Sequence, residues 1–185
     1  MRVTKTLGFT LMEMVIVIVV TAIAITGVTT ALFSRGKQST DQIAAVKASE
    51  LGRAVLDEIL GRQFDENSGP NGGLPECTIT AAEGEPCTIP NELGADDGET
   101  LKSEYNDVDD FKGYNGPVED VLDIELDESY RGYRVSIDVM YEQDSAGVMS
   151  VVEGEDTITH YKRVMIIIFD RQNNRYPFAA TRGNY

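Results

Sequence analysis

The sequence predicts an α+β protein: a long N-terminal helix, apolar over its first half, packed on a C-terminal antiparallel sheet. Three observations predict this. Residues 14–33 read MVIVIVVTAIAITGVTTALF and carry no charge. Residues 34–63 contain no proline and place apolar residues at helical spacing. Beyond a Gly/Pro-rich middle, three segments near the C-terminus have the period-two or β-branched character of strands. The 185 residues suit one small domain with one added element. A net charge of -15, from 16 Lys+Arg against 31 Asp+Glu, disfavours nucleic acid and anionic headgroups as partners. A single His and two Cys supply too few ligands for a multi-residue zinc site. A His-based catalytic set would have to use His160, which no motif surrounds, so the chain is not expected to be an enzyme.

The apolar stretch comes first. As a helix it would run about 30 Å, the thickness of a bilayer core. Arg2 and Lys5 precede it and Arg35 and Lys37 follow, so basic flanks alone do not orient it. It reads as a plain membrane anchor, or as a secretory signal cleaved at Ala22-Ile23-Ala24. A third reading rests on Gly8-Phe9-Thr10-Leu11-Met12-Glu13. A carboxylate inside an apolar segment is expensive and is a functional hypothesis in itself. A cut after Gly8 would give Phe9 a cationic amine one helical turn from Glu13, on the same subunit or a neighbour.

The second half of the helix is amphipathic. Ile43, Val46, Ala48, Leu51, Ala54, Val55 and Ile59 form a stripe widened by Leu56 and Leu60. Asp41, Lys47, Glu50, Arg53, Asp57 and Arg62 fill much of the rest. The helix should end near Phe64, before the breaker Asn67-Ser68-Gly69-Pro70-Asn71-Gly72-Gly73. Residues 65–118 read mainly as loop. Cys77 and Cys87 sit there, either as a disulfide of an exported domain or as two free thiols. A disulfide closing that loop would contribute roughly 2.5–3 kcal/mol on a chain-entropy estimate. It also orients the chain, with the N-terminus inside and the bulk outside.

The sheet is assigned to residues 119–185. Tyr133, Val135, Ile137, Val139 and Tyr141 alternate with Arg134, Ser136, Asp138, Met140 and Glu142, a half-buried strand. Residues 164–169, VMIIIF, predict a central strand buried on both faces. Residues 176–182 predict an edge strand because of Pro177. Residues 121–126 add a short strand.

The N-terminal residues carry a resemblance. Gly8-Phe9-Thr10-Leu11, Glu13 and the long apolar helix resemble the class III signal of type IV pilins and pseudopilins. The resemblance implies a leader over 1–8, cleavage between Gly8 and Phe9 by a prepilin peptidase, and N-methylation of Phe9. It implies an assembly helix over 9–33, with Phe9 and Glu13 as the assembly residues, and a periplasmic head over 34–185 beginning with the amphipathic helix 34–64. The subunit would wait in the inner membrane as a single pass, then join other pilin subunits in an extracellular fibre, with no cofactor. Internal segments 54–62, 107–114, 132–136 and 182–185 resemble minor pilins of mannose-sensitive haemagglutinin (MSHA) pili. A pseudopilin of a type II secretion system has the same N-terminus and stalk.

Two further expectations concern ligands. Residues 91–128 hold fourteen Asp+Glu and only Lys102 and Lys112. Glu104, Asp107, Asp109 and Asp110 are candidate Ca²⁺ ligands, since a hard cation takes several carboxylates from a flexible loop. Asp96, Asp97 and Glu99 form a second cluster. The spacing matches no EF-hand, and a solvated acidic face is the ordinary reading of both clusters. Tyr105, Tyr114 and Tyr130 are the residues a carbohydrate-binding tip would use, against an ordinary packing role.

Overall fold

The computed structural model describes residues 8–69, 76–79, 85–96, 98–152, 154 and 157–185. Residues 1–7, Pro70 to Gly73 and Asp97 lie outside them, including most of the segment expected as a leader. The chain divides into two units, Met1–Ala44 and Ala45–Tyr185. In order, its elements are α1 (Leu11–Leu60), a 3-10 turn (Asp109–Phe111), β1 (Asn115–Pro117), α2 (Val118–Leu122), β2 (Arg134–Ser145), β3 (Val148–Val151), β4 (Tyr161–Phe169) and β5 (Arg175–Gly183). One N-terminal apolar helix and one five-stranded antiparallel sheet make this an α+β chain.

In the first unit, α1 starts where the side chain of Thr10 accepts the Glu13 amide. From Leu11 to Leu32 its mean hydropathy is 2.5, and none of that span is buried. The threonines within it need no outside partner. Thr21, Thr26, Thr29 and Thr30 donate to the carbonyls of Val17, Ala22, Ile25 and Thr26, at 2.6–2.8 Å. A hydroxyl bonded back into its own helix enters an apolar medium at little cost.

The second unit is built on the sheet. Strands run β1-β2-β4-β5, with β3 also paired to β2. Val135 faces Ile168, Ile137 faces Ile166 and Val139 faces Val164 across β2 and β4. These side chains are buried together with Ala48, Leu51, Val55 and Ile59 of α1. Val108, Phe111, Val118 and Val121 close the core from the loop side. Gly52 marks a close approach, because a Cβ there would lie 2.6 Å from the Phe178 ring.

The architecture corrects several expectations. The buried stripe is 48, 51, 55 and 59, while Ile43 and Val46 are exposed. The helix ends at Leu60, four residues early, where Gly61 and Arg62 turn their amides onto Asp57 and Ile59 carbonyls. Strand β4 buries only one face. Val164, Ile166 and Ile168 are buried, whereas Met165 is 40% exposed and Ile167 and Phe169 are partly covered. The exposure of Met165 marks the second face as the open one, so period two survives in an all-apolar run. Val121 and Leu122 lie in the short helix α2 rather than a strand. The region 65–118 contains the 3-10 turn and β1. The hairpin β2–β3 was not expected. It turns at Ala146 and Gly147, both at positive φ, and the Asp144 carboxylate accepts the Gly147 amide.

Candidate functional site

Two places hold chemistry: the start of α1 and a buried charge cluster in the second unit. At the first, Gly8, Phe9 and Thr10 are exposed ahead of the helix, with Phe9 at 76%. Glu13 lies in the first turn of α1. Its amide donates to Thr10 Oγ1 at 3.3 Å, the backbone half of a capping box with Thr10 as N-cap and Glu13 at N3. A carboxylate there also complements the helix dipole. The sequence reading gave Glu13 one role; the local structure adds this second one. Around it, Leu11, Met12, Val15, Ile16, Ile18 and Val19 point outward on all sides. A helix apolar all round belongs inside a membrane or among other helices.

The second place centres on Lys162, a fully buried lysine. The alternation of β4 carries it there: 162, 164, 166 and 168 share the inward face. That alternation was visible in the sequence, and extending it two residues back would have singled out Lys162. Its Nζ donates to the Phe64 carbonyl at 2.8 Å, to Asp65 Oδ2 at 2.8 Å and to Asp109 Oδ1. The rings of Phe64 and Tyr141 lie 4.6 and 5.5 Å from Nζ. Asp65 also accepts from the Thr88 amide at 2.9 Å, the Thr88 hydroxyl and the Asn67 amide. A parallel bridge between Gln63 and Asp107 brings the two acidic segments together: Gln63 N donates to Asn106 O and Val108 N to Gln63 O.

Of the four candidate calcium ligands, the structure places Asp109 on this lysine and holds Asp107 and Asp110 on backbone amides of the same turn. Asp109 pairs with Lys162. Asp107 Oδ1 accepts the amides of Asp109 and Asp110, at 2.8 and 3.2 Å. Asp110 Oδ2 accepts the amides of Asn106 and Asp107. Glu104 is exposed and caps the amides of Thr100 and Leu101 at 2.8 Å. Each candidate thus has partners within the chain, and Lys162 already supplies a positive charge. Burial, then the Asp109 charge, push Asp107 up to about 9. Burial also raises Asp109, against the pull of Lys162. Burial pulls the Lys162 ammonium down, but Asp109, Asp65 and Asp107 outweigh it and hold it above the usual lysine value. Desolvation and Asp110 push Glu99 to about 7.

The tyrosines are committed to packing and structure. Tyr105 is buried edge-on against Phe111. Tyr114 OH donates to Pro117 O, and Tyr130 OH to Glu50. Cys77 and Cys87 form a disulfide buried with Phe64, Leu93 and Tyr141. Asp65 and these two sulfurs form the one close grouping of potential metal donors among the described residues, and the disulfide occupies both thiols. Near the C-terminus, Asn184 is buried and its Nδ2 donates to the Cys77 carbonyl at 2.9 Å.

Compared with known protein families, with curated proteins and with solved structures, the chain matches none.

Proposed function

We propose that the chain is a minor subunit of an MSHA-type type IV pilus, cut after Gly8 by a prepilin peptidase and N-methylated on Phe9. Within that class the internal motifs favour the D-type minor pilin. The observation that carries the reading is Leu11–Leu32, an apolar helix uncovered on every side and led by Gly8-Phe9 with Glu13 one turn in. Such a helix needs an apolar surrounding, and a fibre core of like helices supplies one as a bilayer does. The internally bonded threonines suit either medium. Before assembly the helix would hold the precursor in the inner membrane with its head in the periplasm. After cleavage, the Phe9 amine and Glu13 would offer opposite charges in an apolar bundle. An unpaired carboxylate there is costly, so the pair would fix register.

The reading is tested by mass spectrometry of the N-terminal peptide from sheared surface fibres and from the membrane fraction. N-methylated Phe9 in fibres is the expected result. Methylated Phe9 confined to membranes would favour a priming subunit or a type II secretion pseudopilin. An intact Met1, or a start at Ile25, would overturn the reading in favour of a plain anchor or a secreted domain.

A further inference from the structure

Lys162 and its carboxylates have an arrangement that an ordinary ion pair does not need. The side chains of Lys162 and Asp65 are fully buried and that of Asp109 is 3% exposed. The rings of Phe64 and Tyr141 lie 4.6 and 5.5 Å from the buried Nζ. A third carboxyl, Asp107, is buried beside Asp109 and accepts its backbone amide at 2.8 Å. An amine, a carboxyl, a proton acceptor and a proton donor therefore share one buried site.

We propose that Lys162 and Asp109 condense into an intramolecular amide, a covalent link between strand β4 and the acidic loop. An ammonium and a carboxylate together contain the atoms of one amide and one water, so the step is redox-neutral and needs no co-reactant. Asp65 Oδ2, 2.8 Å from Nζ, takes the first proton and exposes the nitrogen lone pair, the slow step because the surrounding carboxylates hold Lys162 charged. Asp107 protonates an oxygen of Asp109, a role that suits a carboxyl which burial keeps protonated near neutral pH. Nζ then attacks Cγ of Asp109, and the N–C bond forms. The second nitrogen proton passes to the anionic oxygen of the tetrahedral centre, which gives it back to Asp107. The proton held by Asp65 goes to the departing oxygen, the C–O bond breaks and water leaves. Both helper carboxyls end as they began.

Geometry selects Asp109 over Asp65 as the carbon attacked. Asp65 is held by Thr88 and by the Asn67 amide as well as by the lysine, and bringing its carbon to Nζ would break those contacts. The link would join residues 53 apart in sequence, where the disulfide joins residues 10 apart. It would tie together the two halves of the head that meet at this lysine.

The test is a peptide map of the purified, reduced full chain by mass spectrometry. The expected result is a branched peptide carrying Lys162 joined to Asp109, lighter by one water than its two parts, with no tryptic cut after Lys162. Unlinked peptides of full mass, with Lys162 open to amine acetylation after denaturation, would overturn the proposal. So would a branch mapped to Asp65. Asp107→Asn keeps the side-chain volume and is expected to slow linkage by roughly 10²-fold, followed by pulse-labelling. Linkage at an unchanged rate would remove Asp107 from the mechanism.

Discussion

Asp107 and Glu13 show what single residues do here. Asp107 is 2% exposed and faces Asp109, Asp110 and Lys162. Its carboxyl is raised from 3.8 to about 9, so between those values the folded chain holds a proton that the unfolded chain has lost. Its contribution to stability is complete below the unfolded value and is lost as pH rises toward the folded one. Asp109 has the same sign, while Asp170, lowered by its hydrogen bonds from Asn174 and Gln172 despite burial, acts only near its own acidic range. Urea midpoints of the full chain in detergent should therefore fall between pH 5.5 and pH 8.5, and Asp107→Asn should flatten that slope. A midpoint that rises over this interval would contradict the burial of a protonated Asp107. Glu13 acts at the other end. Under the pilus reading, Glu13→Ala or Glu13→Val should leave processing largely intact and lower incorporation into fibres. Normal incorporation, measured by quantifying the subunit in sheared fibres, would remove its pairing role. Thr10→Ala separates the capping role, costing about 0.5–2 kcal/mol of local helix stability without touching the carboxylate.

At the scale of elements, β4 tests which face of the sheet carries the core. Ile166 is fully buried against α1 and β2, whereas Met165 stands on the open face. Ile166→Ala should cost about 2–5 kcal/mol through lost burial and a cavity. Met165→Ala should stay within about 0.5 kcal/mol, as surface changes do. Denaturant midpoints of the two variants read the difference, and equal losses would mean that both faces are covered. The sequence made this strand apolar throughout and so concealed its one-sidedness. Alternation in β2 was legible because polar residues mark its outer face. The helix stripe was legible in period but shifted in phase, since Ile43 and Val46 match the spacing yet are exposed. The strand expected over 121–126 overlaps α2 only at Val121 and Leu122, where local β character yields to tertiary context.

At the scale of the whole molecule, composition is divided along the chain. Apolar surface is concentrated in Leu11–Leu32, and acidic charge in the loops of the second unit. Uncleaved full-length chain should therefore stay with membranes through alkaline carbonate extraction and need detergent to dissolve. Release into the soluble fraction with residues 11–32 still attached would contradict the exposure of that helix. Lys162 joins the segment after α1, the acidic loop and β4, so loss of its partners should loosen all three together. In the chain before any Lys162–Asp109 link forms, Asp65→Ala should cost about 3–5 kcal/mol, the penalty for leaving a buried charge short of a partner. A loss below about 1 kcal/mol would show that the cluster relaxes or hydrates.

The sequence by itself determined the apolar helix, the position of Glu13 within it, the alternation of β2 and the edge position of β5. Each of these follows from local period or residue type, which neighbours in the chain fully specify. Only the tertiary structure decided which face of β4 is buried, that Asp65 and Asp109 meet Lys162, and that the loop carboxylates turn inward to a lysine and to backbone amides. Those outcomes depend on residues 53 and 97 positions apart coming into contact. A buried charge is stable only once such partners arrive, so no window along the chain could have specified it.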